Sequence, residues 1–117
     1  MPRPKLPTSA SDDEPGRPAL RHVRYLLRSL TLNGVPVSVG TGTLVAARPV
    51  GAEAIDWEIV VSSSTPLELE QAVYDIDTCT TQDRALRGSA LLVRTDGRSH
   101  VFRGAAELDG LTDSDLT

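Results

Sequence analysis

The sequence predicts an all-β fold: a small antiparallel β-barrel or β-sandwich of about seven or eight short strands, preceded by a disordered, proline-rich N-terminal arm. Three observations lead there. Apolar and polar residues alternate with a period of two in several segments, the pattern of strands with one buried face. Asn33-Gly34 and Asp96-Gly97 each separate two such segments, and these dipeptides favour the positive φ angles that two-residue hairpin turns need. The chain of 117 residues has room for one domain with turn signals at close intervals.

Residues 1–20 carry Pro2, Pro4, Pro7, Pro15 and Pro18 among Ser, Asp and Glu. Such a composition buries too little apolar area to offset the entropy of ordering, which defines an arm. In residues 19–28, Leu20, Val23 and Leu27 fall at helical spacing beside a second stripe of Arg17, Arg21, Arg24 and Arg28, so a helix competes with a strand there. The strand is preferred, from about Val23, because it can pair with residues 41–47. A β domain is expected over residues 21–108 and a flexible acidic tail over 109–117.

A type I′ turn at Asn33-Gly34 sets Leu32 against Val35, Thr31 against Pro36 and Leu30 against Val37, with the four aliphatic side chains on one surface. Gly40 and Gly42 are placed to bend the following strand. Trp57, Ile59 and Val61 alternate with Asp56 and Glu58; Leu67 and Leu69 with Glu68 and Glu70; Tyr74, Ile76 and Thr78 with Asp75, Asp77 and Cys79. Each reads as a strand with its acids outward. A two-residue turn at Asp96-Gly97 sets Val93 against His100 and Leu91 against Phe102, which makes Leu91, Val93 and Phe102 the expected core face.

Net charge is −4, with 12 basic and 16 acidic residues, which argues against a general nucleic-acid binder. The balance is uneven: residues 1–50 carry seven basic and three acidic side chains, and 51–117 carry five and thirteen. One acidic sheet face of Asp56, Glu58, Glu68, Glu70, Asp75 and Asp77 is therefore expected, with Arg21, Arg24 and Arg28 as a complementary basic surface for a protein partner or another copy. With one cysteine, Cys79, no internal disulfide forms, and a reducing cytoplasm is the simplest address. No run approaches the ~20 apolar residues of a membrane span.

Catalytic patterns are weak. A nucleophile needs a base within hydrogen-bond reach, and the best arrangement to imagine joins Cys79, His100 and Asp75 or Asp77. Asp75, Asp77 and Cys79 share a strand face, yet same-face side chains stand nearly 7 Å apart, too spread for a cation site. Gly40-Thr41-Gly42-Thr43 lacks the remaining residues of a phosphate loop. No enzyme, metal or cofactor is expected. The expected function is a non-catalytic protein-interaction or structural assembly module docking through sheet faces, edges and the arm. The alternative is a small-ligand-binding accessory barrel holding an apolar molecule near Trp57, Tyr74, Phe102 and His100.

Overall fold

In a computed structural model, which describes residues 21–117, the chain forms seven strands. The arm expected over residues 1–20 lies outside the described residues. The strands are β1 (Arg21–Leu32), β2 (Val35–Val37), β3 (Val39–Arg48), β4 (Asp56–Ser63), β5 (Val73–Thr80), β6 (Ala85–Asp96) and β7 (Ser99–Gly104). All pairings are antiparallel, and they close into a barrel: β1 pairs with β3, β3 with β4, β4 with β7, β7 with β6, β6 with β5, and β5 with β1. β2 is an additional strand on β1.

Closure depends on the length of β1. Its first six residues, Arg21–Leu26, pair with β3, and Leu27–Leu32 pair with β5 across a shift between Leu27 and Ser29. The 12-residue strand thus serves its two barrel neighbours, β3 and β5, in turn, and the barrel gains the stagger that closure requires. The helical spacing of Leu20, Val23 and Leu27 yields to this pairing, because a helix would leave both β3 and β5 with an unpaired edge.

The core follows alternation. Trp57, Ile59, Val61 and Ser63 of β4 point inward, as do Ile76, Thr78 and Thr80 of β5. The axis is filled by the chain's own side chains, Phe102, Leu30, Leu44, Ile59, Ile76, Leu86 and Leu92 being the largest fully buried among them. Tyr74 meets Phe102 edge to face at 5.9 Å between ring centres, a favoured aromatic geometry. The indole of Trp57 lies over two glycines. A Cβ on Gly104 would come within 2.3 Å of it and one on Gly88 within 2.8 Å, so both strands must be bare where the ring crosses.

The first hairpin has the expected register, with Asn33 at φ 51° and Gly34 at 81°. Its tip differs in burial: Leu30 and Leu32 enter the core, while Val35 is 64% exposed. The second hairpin corrects the sequence reading. Asp96 pairs with Ser99, so the loop is Gly97-Arg98, with Gly97 at φ 60°, and a bulge at Val93 shifts the register again. Leu92 therefore faces Phe102 in the core, while Leu91 and Val93 lie outside. Sliding a strand by one residue reverses every side chain on it.

Two further expectations change. Leu67–Glu70 is not a strand but part of the connection between β4 and β5, tied down where the Leu67 N–H donates to the Gly97 carbonyl at 3.1 Å. The segment 109–117, expected to fray, packs across one mouth of the barrel. Asp109 bridges to Arg87 of β6, Asp113–Asp115 form a 3-10 turn, and Leu116 is buried. Its last residue, Thr117, exchanges backbone hydrogen bonds with His22 of β1 at 3.2 and 3.0 Å. Leu108 and Leu116 supply the apolar anchors that its acidic composition conceals.

Candidate functional site

The six expected acids do not form one face. β4, which carries Asp56 and Glu58, is separated from β5, which carries Asp75 and Asp77, by β7 and β6 in one direction and β3 and β1 in the other. Three of them answer to neighbours on adjacent strands. Glu58 lies 3.5 Å from Arg103, Asp77 accepts a hydrogen bond from the Arg87 guanidinium at 2.5 Å, and Asp75 accepts one from the Ser89 hydroxyl at 3.1 Å. Glu68 and Glu70 sit in the β4–β5 connection, where the Glu70 carbonyl accepts the Tyr74 hydroxyl at 2.6 Å.

The arginines divide as well. Arg24 is exposed on β1, and Arg28 pairs with Asp83 and directs a second guanidinium N–H to the Cys79 sulfur at 3.2 Å. Arg21 turns to the segment at the barrel mouth.

Cys79 and His100 do not meet. Cys79 stands beside Ala85 and His100 beside Thr95, so they lie at opposite ends of β6, about 33 Å apart along an extended strand. His100 has other company, which sequence reasoning missed. It is buried, with its Nδ1 2.7 Å from the Thr95 hydroxyl and its Nε2 3.3 Å from the Ser63 hydroxyl. The Ser63 proton is already donated to the Thr65 carbonyl at 2.6 Å. The serine oxygen then accepts from Nε2–H, which leaves Nδ1 to accept from Thr95. Burial holds the imidazole below its ordinary pKa. The cluster ties the β6–β7 hairpin to the end of β4. The signal for Ser63 was parity, since it continues the inward series Trp57, Ile59, Val61.

Three arginines from separate elements converge on the segment at the mouth. Arg21 donates to the Asp113 carboxylate and carbonyl, both at 3.0 Å, and to the Leu116 carbonyl at 3.1 Å. Arg48 of β3 stands 2.5 Å from the other Asp113 oxygen. Arg84, in the β5–β6 turn, donates to Asp115 at 2.5 Å and to the Gly110 carbonyl at 2.8 Å. Asp113 is held below the usual carboxylate range, chiefly by Arg21, and Asp115 is pulled to about 2, first by Arg84 and next by the Thr112 N–H. Exposed ion pairs contribute little, so burial of Leu116, about 2 kcal/mol, is the main apolar hold. The arginines orient the segment and make its grip sensitive to salt.

The outer surface carries apolar side chains in register. Cross-strand pairing aligns Leu26, Thr43, Val60 and Val101 in one row over β1, β3, β4 and β7, and Val45, Glu58, Arg103, Leu91 and Val73 in the next. Leu26 is 56% exposed, Val73 55%, Val60 45% and Val45 40%. Among the described residues no group of three or more His, Cys, Asp or Glu gathers as metal ligands would, and no helix is long and apolar enough to cross a membrane. Comparison with protein-family models, curated proteins and solved structures finds no match.

Proposed function

We propose that this chain is a non-catalytic interaction and assembly module that docks to protein, including further copies of itself, through the outer face of β1, β3, β4, β7 and β6. One observation carries the reading: the aliphatic side chains Leu26, Val45, Val60, Leu91 and Val93 on that face are all substantially exposed. Val60 adjoins Val101 and Leu91 adjoins Val73 across the strands, and exposed apolar clusters are characteristic of contact sites. Arg24, Glu58, Arg103 and Arg94 stand among these residues, which supplies a polar frame to fix the partner's orientation.

The filled axis supports the same reading. Phe102, Tyr74 and His100 pack or hydrogen-bond with their own neighbours, and a ligand at that place would have to displace them. Light scattering of the whole chain, from micromolar to millimolar concentration at several salt strengths, tests the proposal. Reversible self-association is expected, weakened by Val60→Glu on the outer face. A chain that stays monomeric throughout, unchanged by V60E, would overturn it.

A further inference from the structure

The outer face of the barrel carries basic charge that the described residues leave unanswered. Arg21 and Arg48 pair with Asp113, Arg28 with Asp83, Arg84 with Asp115, Arg87 with Asp77 and Arg103 with Glu58. Among the described residues Arg24, Arg94 and Arg98 have no such partner, although acids outnumber arginines over that part of the chain. Two of these three frame the exposed apolar row. Arg24 precedes Leu26 on the outward side of β1, and Arg94 pairs with Val101 where the row ends.

The two flanks of β1 differ in sign. Toward β5 and β6 stand Asp75, Asp77 and Asp83, and the arginines there, Arg28 and Arg87, are already paired. Toward β3 and β4 the acids are Asp56 and Glu58, of which Glu58 lies 3.5 Å from Arg103, and Arg24 stands open. An acidic segment arriving at the start of β1 is repelled by the first flank and attracted by the second.

The sequence just before β1 is such a segment. Asp12, Asp13 and Glu14 are consecutive, Leu6 precedes them, and only residues 15–20 separate them from Arg21. We propose that the outer face of β1, β3 and β4 is an interaction surface for the arm of the same molecule, with Asp12, Asp13 and Glu14 seated against Arg24 and Leu6 laid on the apolar row at Val60. Reach decides in its favour. The linker from Glu14 to Arg21 extends up to about 23 Å, and Arg24 lies about 10 Å along β1 from Arg21. Pro15-Gly16 has the sequence of a type II turn, which sends the chain back over β1. From Glu14 to Leu6 the chain spans up to about 26 Å, and Val60 is two strands from Leu26, about 10 Å across the sheet. The linker holds no group of the contact, so extending it sacrifices nothing.

A weak contact is enough. So short a tether gives an effective concentration on the order of millimolar, at which a dissociation constant of about 1 mM keeps the arm seated roughly half of the time. Its charge pairs are exposed, so salt releases it. The arm then competes with any partner for this face, a consequence that rests on the docking reading above; the contact itself does not.

Paramagnetic relaxation in the full-length protein tests the contact. A nitroxide is placed on Ala10→Cys in a Cys79→Ser background. The amides of Leu26, Thr43 and Val60 are expected to lose about half their intensity or more, in keeping with that occupancy, while Asp75 and Asp77, on the far side of the barrel, keep theirs. High salt, or Arg24→Glu at an exposed position, abolishes the contrast. Equal broadening on both sides, insensitivity to salt and to R24E, or equal broadening of an isotope-enriched unlabelled chain mixed with the labelled one overturns the proposal.

Should Cys79→Ser disturb the barrel, the natural chain is compared with Asp12→Asn, Asp13→Asn, Glu14→Gln by amide shifts. Changes confined to β1, β3 and β4 around Arg24 support the seat, and their absence from this face overturns it. Light scattering reads the assembly proposal separately. Broadening in a monomeric chain keeps the arm contact and removes self-association, and self-association without broadening does the reverse.

Discussion

Gly104→Ala is the sharpest test of how Trp57 is held. A Cβ at that position would stand 2.3 Å from the indole nitrogen and 2.4 and 2.6 Å from two ring carbons, more than 1 Å inside ordinary carbon contact distance. The ring must move, and as it moves its N–H leaves the Ala106 carbonyl, to which it donates at 2.7 Å. Overpacking of this kind costs about 1–3 kcal/mol, and an unsatisfied buried donor about 1–3 kcal/mol more. Replacing glycine within a strand recovers roughly 0.5–1 kcal/mol of backbone entropy. The net loss is about 2–4 kcal/mol, which for a domain near 100 residues corresponds to roughly 10–25 °C in Tm.

Urea denaturation followed by circular dichroism measures this for the parent, G104A, Trp57→Phe and the double variant. The shorter ring of W57F relieves the clash, so Gly104→Ala in that background is expected to cost less than about 1 kcal/mol, giving a coupling of at least ~1 kcal/mol. Were G104A to lie within about 0.5 kcal/mol of the parent, the range of an ordinary surface change, the placement of the indole over β7 would be wrong.

Two other perturbations follow from the geometry. His100 is neutral in the fold because burial lowers its pKa, whereas in the unfolded chain it titrates near 6.5. Below ~6.5 the unfolded state binds a proton that the barrel excludes, so stability falls as pH drops from 7 to 5 and returns as pH rises; His100→Gln should flatten that part of the urea-midpoint profile, and parallel profiles would refute the assignment. Asn33 holds φ at 51° and its side-chain oxygen accepts the Asp75 N–H at 2.8 Å, so Asn33→Ala should cost about 2 kcal/mol. Asn33→Gly should recover the conformational part alone, and equal urea midpoints for N33A and the parent would contradict the turn.

Local chemistry made much of this fold readable, and long-range pairing hid the rest. Asn33-Gly34 specified its turn and register because both residues accept positive φ, an effect contained within two residues. Asp96-Gly97 offered the same cue, but Gly97 alone takes the positive angle and the loop forms one residue later. Leu91, Leu92 and Val93 are three adjacent aliphatics, so no periodicity was available to correct the slip. Leu67 and Leu69 alternate as strand residues should, yet β5 already has both neighbours, β6 and β1, leaving no edge to join.

The expected acidic face failed for a related reason. Alternation correctly put Asp56, Glu58, Asp75 and Asp77 on the outward side of their strands, but which strands adjoin is a property of topology that no single segment encodes. The gathering of Arg21, Arg48 and Arg84 at one mouth was invisible for the same cause, since its members and the segment they hold are up to 95 residues apart.

β1 has a consequence for the order of events during biosynthesis. It leaves the ribosome before the strands it pairs with, and its second half waits for Thr80 to Ile76 and its opening residues for Leu116 and Thr117. Contacts so distant along the chain form slowly, because loop entropy is lost before they repay it. Until they do, a nascent β1 displays bare amide groups to any neighbour on the same messenger, and partnership between growing chains competes directly with closure of each one.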